Sequence, residues 1–206
     1  MRYMVFDVES IGLYGPPFAF GYVVVDGNGK ELSKGFECVS SLDALLLAHE
    51  EWEKLGFRVA LQDLKWVRRH VLPALQKVDF RSSDAFVTSV RYKSQLEKIV
   101  RMFVLCQKTE FRKFGHMTLA ADCQYPVEAN FLRTVMAVEH SYNMDRSPYP
   151  VHEVATALHA AGMDPFKTYS RLKNEKPEHH PLMDARQSAR LFIKALRSCR
   201  AKRSRK

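Results

Sequence analysis

Arg2-Tyr3-Met4-Val5-Phe6-Asp7-Val8-Glu9 is an apolar run that stops at two carboxylates separated by one residue. Side chains two apart on a strand share a face, so Asp7 and Glu9 can reach one cation. A D-x-E triplet arises readily by chance, and the force of this one is its position. A buried first strand that finishes in unpaired carboxylates is electrostatically unfavourable unless a cation neutralises them. Near the other end of the chain, His179-His180-Pro181-Leu182-Met183-Asp184-Ala185 sets a histidine five positions ahead of an aspartate.

Working outward, residues 2–8 read as a first strand and Phe18 to Val25 as a second, joined by a loop containing Gly12, Gly15, Pro16 and Pro17. Asp26-Gly27-Asn28-Gly29 is a hairpin signal leading into a third strand from Lys30 to Val39. Helical periodicity follows over Leu42 to Leu55, Leu61 to Leu75 and Asp84 to Leu105, the last with Ser82 and Ser83 as cap candidates. Met117 to Asp122 has the shape of a short buried strand ending in an acid, and Pro126 opens a helix from Val127 to His140. Pro150-Val151-His152 reads as a last short strand and Val154 to Ala161 as a helix stopped at Gly162. Asp164 to Lys176 is a polar loop. The final helix begins near Glu178 or His180, with Leu182, Ala185, Ala189, Phe192 and Leu196 as its apolar stripe. Three antiparallel strands, then helix, strand, helix, strand, helix is the order of an α/β, ribonuclease-H-like domain, a mixed five-stranded sheet flanked by helices.

The chain has 206 residues, 46% of them hydrophobic, which suits one domain with a full core, expected over residues 1–199. A formal charge of +9 favours an anionic partner such as nucleic acid. Part of that excess lies in the basic tail 200–206, read as a solvated, disordered end. Cys38, Cys106, Cys123 and Cys199 are scattered, without C-x-x-C spacing, and read as reduced thiols of a cytoplasmic protein. The opening strand lacks the features of a secretory leader, and no apolar run approaches the roughly 20 residues of a membrane span, so no membrane partner is expected.

Hydrolysis of a phosphodiester needs a deprotonated water and a means of offsetting charge on the transition state and leaving oxygen. Two cations about 3.5–4 Å apart supply both. Hard divalent ions take oxygen ligands, which fits four carboxylates better than zinc on scattered cysteines, so two Mg2+, with Mn2+ as a substitute, are the expected cofactors. A histidine side chain, with an ordinary pKa of roughly 6.5, is suited to take a proton from water near neutrality.

On these motifs the chain resembles the DEDDh family of 3′-to-5′ exonucleases: Asp7-Val8-Glu9 matches the first motif and His179 through Ala185 the third, H-x4-D-A. Within it the chain is most similar to the small bacterial exoribonucleases of the RNase AS type. That similarity extends to Met1-Arg2-Tyr3, Trp66 through Pro73 and Asp184-Ala185-Arg186. The resemblance implies that Asp7, Glu9 and Asp184 hold the metal on the nucleophile side, that Asp7 bridges to the second metal, and that His179 is the general base. It implies as substrate the 3′ ends of single-stranded RNA or DNA, RNA favoured, with release of nucleoside 5′-monophosphates, and it makes a homodimer plausible. The middle of the chain matches poorly. For the second-motif acid, Ala121-Asp122 through Leu132 offers two candidates. Asp122, at a strand end, is favoured because such a terminus points into the cleft. Glu128 aligns better on Phe131-Leu132, but an acid there also suits a helix N-terminus.

Plainer readings stand beside these. Asp184 is also a favourable first-turn acid, and His180 reads as an ordinary histidine before a helix. Tyr14, Phe18 and Arg68 are candidate substrate contacts, although strand aromatics are usually core, paired helix arginines are usually solvated, and Trp66 reads as packing. The alternatives to an RNA exonuclease are a DNA exonuclease and an inactive nucleic-acid-binding module.

Overall fold

Alternation along the first strand decides which face each acid occupies. The computed structural model describes residues 1–76, 94–138 and 150–203. β1 (Arg2–Ser10), β2 (Pro17–Asp26) and β3 (Glu31–Cys38) form the antiparallel meander, and β4 (Thr118–Ala121) and β5 (Val151–Glu153) add parallel strands beyond β1. The sheet order is β3-β2-β1-β4-β5, a mixed five-stranded α/β sheet compatible with a ribonuclease-H-like fold. At the β2–β3 turn the Asp26 carboxylate accepts from the amides of Asn28 and Lys30 at 2.8 and 2.9 Å, so the side chain closes the hairpin.

Even-numbered residues of β1 face one helical layer, where Phe6 and Phe20 each pack on Phe103 at 5.3 Å. Phe103 belongs to α5 (Gln95–Phe114), and Phe131 of α6 (Ala129–Val138) closes the same cluster. Odd-numbered residues face α8 (Pro181–Arg203): Tyr3 meets Phe192 edge-on at 5.1 Å. Asp7 and Glu9 continue that odd face to the end of the strand, under the first turn of α8.

Gly21 allows the approach. It pairs with Asp7 across the sheet, and a Cβ there would sit 2.1 Å from the Leu182 nitrogen. Only a residue without a side chain lets α8 begin directly on the sheet, which brings Asp184 to the level of Asp7.

Several boundaries differ from the expectations. The first helical stretch is broken at Ala48 into α1 (Leu42–Leu47) and α2 (His49–Lys54), and the second at Val71 into α3 (Leu61–His70) and α4 (Leu72–Gln76). The latter break comes just before Pro73, which has no N–H to donate to the preceding turn, while Val71 still donates to the Val67 carbonyl at 2.9 Å. Ser82, Ser83 and the expected start at Asp84 lie outside the described residues. α5 is capped by Ser94, whose hydroxyl accepts from the Glu97 amide, and it continues past Leu105 to Phe114. Gln124–Glu128 form a π turn that runs into α6, and its backbone is non-helical at Tyr125 (φ −112°, ψ 139°), so helical conformation opens at Pro126 as expected. α7 (Val154–Ala160) precedes Gly162, which has a positive φ of 75°.

The polar loop contains a 3-10 turn, Lys173–Glu175, tied down by Arg190. α8 continues to Arg203, so residues 200–203 of the expected disordered tail are helical, and Lys202 donates to the Ala161 carbonyl at 2.9 Å. A basic side chain at the C-terminal end of α7 is favourable to the helix dipole. Among the described residues no helix is long and apolar enough to cross a membrane.

Candidate metal centre

β1, the π turn and the start of α8 deliver carboxylates to one end of the sheet. Ligand atoms of Glu9, His179 and Asp184 lie within 4.8 Å of one another, the spread of a site that can hold one cation. Asp7 lies beside them. Burial first, then repulsion from Asp184, Glu9, Glu128 and Asp122, holds its carboxyl well above the usual carboxylate range. Burial, with repulsion from Asp184 and Glu128, pushes Glu9 up to about 8.

The two candidates for the second-motif acid occupy different environments. Register Phe6↔Ala121 brings Asp122 beside Asp7, as a strand end should, but its side chain is exposed. Desolvation raises its carboxyl, Arg171 pulls it down and Glu153 pushes it up. Glu128 is only 6% exposed, and its carboxyl accepts backbone hydrogen bonds from its own amide and from Val8, between Asp7 and Glu9 in sequence. Burial still pushes Glu128 to about 8, with repulsion from Asp122 adding to the rise. Glu128 thus interacts with both strand acids, while Asp122 reaches Asp7 and Glu128 from the rim.

His179 has φ 59°, the left-handed region that costs a residue with a Cβ about 1 kcal/mol or more. That turn aims its amide at Asp184, whose carboxyl accepts from it. Its ring meets Trp66 edge-on at 5.0 Å, and Trp66 in turn stacks on His70 at 5.3 Å. Trp66, 45% exposed, is therefore a flank of the candidate centre as well as a packing residue, which sequence reasoning missed. α3, which carries it, is seated on the β1–β2 loop at Gly12 (φ 71°), where a Cβ would collide with the Asp63 side chain.

His180 faces the opposite way. It is fully buried against Phe36 at 4.5 Å, neither ring nitrogen has a hydrogen-bond partner among the described residues, and burial lowers its pKa to about 4. The adjacent histidines are thus separated by backbone geometry into one that meets the carboxylates and one that plugs the core.

Of the candidate substrate contacts, Tyr14 is exposed, and its hydroxyl is hydrogen-bonded to that of Tyr125, itself 68% exposed. Phe18 is a correction: at 1% exposure its ring belongs to the core and presents no face to a ligand. Arg68 is exposed but paired with Asp43 at 2.9 Å. Arg186 makes a two-pronged pair with Glu31, both contacts 3.0 Å, which fastens α8 to the start of β3.

The residue with no sequence signal is Arg171. Its Nη1 donates to Asp184 Oδ1 and to the Glu175 carbonyl, and its Nε lies 3.3 Å from Glu178. It is the basic side chain of the described residues that pairs with an acid of the centre. Burial raises the Asp184 carboxyl, Arg171 and His179 lower it, and burial prevails.

No family model matches this chain, and no curated protein matches it significantly.

Proposed function

We propose that the chain is a metal-dependent 3′-to-5′ exonuclease of DEDDh type, acting on single-stranded nucleic acid with RNA favoured. The observation that carries this reading is the convergence of Glu9, His179 and Asp184 on one point beside Asp7 and Glu128. The donor set is oxygen-rich and short of positive charge, which suits Mg2+ or Mn2+ rather than a soft metal. Asp7, Glu9 and Asp184 would hold one ion. Asp7 with Glu128 or Asp122 would hold the other, and burial and the contact with Val8 favour Glu128. Bound ions would supply charge neutralisation and a water of lowered pKa.

The rest is the work of the chain. His179, held by its backbone turn and by Trp66 and close to Glu9 and Asp184, would accept a proton from water. Trp66, Tyr14 and Tyr125 offer exposed ring surface for unpaired bases, a sequence-tolerant contact that suits single strands. The net charge of +9 draws the polyanion in.

Release of labelled mononucleotides from matched 3′-labelled RNA and DNA, with and without Mg2+, tests this reading. Metal-dependent release by the wild type that disappears in Asp7→Asn is the expected result, with RNA cleaved faster. Binding of both strands without release would instead mark an inactive binding module.

A further inference from the structure

Among the described residues, five acids gather here, and one of them, Asp184, is in contact with a guanidinium, that of Arg171. Arg171 lies outside every motif of the sequence, in the segment between α7 and α8, yet it bonds to Asp184 on the inner side and Glu178 on the outer side. Asp184 is one of the three groups that can close on a cation. A cation entering between Glu9, His179 and Asp184 would face a positive group already seated on one of its ligands.

We propose that Arg171 is an internal counter-ion that competes with the metal for Asp184 and, when displaced, turns to hold a phosphate of the bound strand. This rests on the metal-dependent reading above and adds to it a positioning and binding residue. Two features favour the second half of the movement. Arg171 lines an open groove of about 820 Å3 together with Tyr169, Ser170, Lys176 and Glu178, so a second cation and hydroxyl groups already face that space. Its anchors there are one carbonyl and one largely exposed carboxylate, Glu178, which let go more readily than a buried partner would. A planar guanidinium suits carboxylate and phosphate alike, so one side chain can serve both.

The two roles predict effects of opposite sign on two ligands, which a simple packing role would not produce. In calorimetric titration of the metal-free protein, Arg171→Gln should bind Mn2+ about three- to tenfold more tightly than wild type, because the competing charge is gone. With Ca2+ in place of Mg2+ to slow turnover, the same variant should bind a fluorescent single-stranded oligonucleotide about three- to tenfold more weakly. Arg171→Lys keeps the charge and should lie closer to wild type in both assays. Should Arg171→Gln fail to fold, a Mg2+ titration of the wild type answers instead, since the Arg171 Nε–H resonance, identified by its loss in Arg171→Lys, must shift as metal binds. Unchanged Mn2+ affinity in Arg171→Gln, or an Nε–H signal indifferent to Mg2+, overturns the counter-ion role while leaving the nuclease reading intact. Tighter Mn2+ binding with unchanged oligonucleotide binding overturns the phosphate role. Absence of Mn2+ binding by the wild type would sink the metal-dependent reading itself, and the counter-ion role with it.

Discussion

Glu128 and Glu175 are both buried glutamates, at 6% and 2% exposure, and they titrate in opposite directions. Burial pushes Glu128 up to about 8, helped by Asp122, and the two backbone amides it accepts from do not offset the loss of water. Burial pushes Glu175 up as well, but Arg190 at 2.6 and 2.9 Å, the Leu172 amide and the charge of Arg171 bring it below its ordinary value. Burial therefore does not set the fate of a carboxylate. A partner does. Where the acid fastens a loop to α8, the fold supplies an arginine. At the end of β1 it gathers acids and, among the described residues, supplies one arginine, on Asp184, which is the arrangement expected of a site whose remaining charge arrives from outside.

The largest effect that would break this contrast is at the most repelled acid. Asp7→Asn should lower the rate of mononucleotide release by about three orders of magnitude or more, the scale of losing a metal ligand, and leave the metal-free protein as stable as wild type or more so. Retained activity in the purified variant would remove the central claim. His179→Ala should cost about two orders of magnitude in rate as loss of a general base, measured at saturating Mg2+, whereas His180→Ala should leave the chemistry nearly intact and lower the melting temperature. The reverse order would exchange their roles.

On the paired side, Arg190→Ala strands a buried charge at Glu175 and should cost about 2–4 kcal/mol in urea unfolding at pH 7. On the unpaired side, Glu128→Gln should stabilise the metal-free protein by about 1–2 kcal/mol in the same assay and shrink the stabilisation that Mn2+ gives. Equal and like-signed changes in the two variants would erase the comparison.

Melting temperature against pH sharpens it further. A carboxyl raised in the folded state binds its proton more tightly there than in the unfolded chain. Glu9 and Glu128 therefore favour the metal-free fold below the ordinary glutamate value of about 4.3, and that contribution is lost as pH rises toward about 8. Glu175, lowered when folded, contributes above its unfolded value and loses that contribution as the pH falls. Glu128→Gln should flatten the alkaline decline in metal-free protein and Glu175→Gln the acid one. A decline between pH 5 and 8 that Glu128→Gln leaves untouched would refute the assignment. The smallest effect concerns the tail: removing residues 204–206, with Arg205 and Lys206, should reduce the salt slope of single-strand binding by about one or two phosphate contacts without altering turnover of a dinucleotide.

Much of this protein was legible without coordinates because short-range rules govern it. The side-chain alternation of β1, the turn chemistry of Asp26 to Gly29 and the periodicity of α8 placed Asp7, Glu9 and Asp184 on elements that a mixed sheet must bring together. Position on an element does not reveal surroundings. Asp122 was favoured over Glu128 because a strand end points into the cleft. Only the path of the π turn over β1 shows that Glu128 is the buried acid and Asp122 the exposed one. Phe18 took the core place usual for a strand aromatic, whereas Trp66, read as packing, is 45% exposed and meets His179, because exposure depends on how the elements pack. Arg171 shows the limit most clearly: its contact with Asp184 spans a loop with no periodic signal, and the acids it acts on, Asp184 and Asp122, become its neighbours only when the chain is folded. Sequence alone determined which chemistry the side chains can perform and which strand and helix carry it. Tertiary structure decided which charges are left without a partner, because solvent exclusion and proximity are properties of the packed chain.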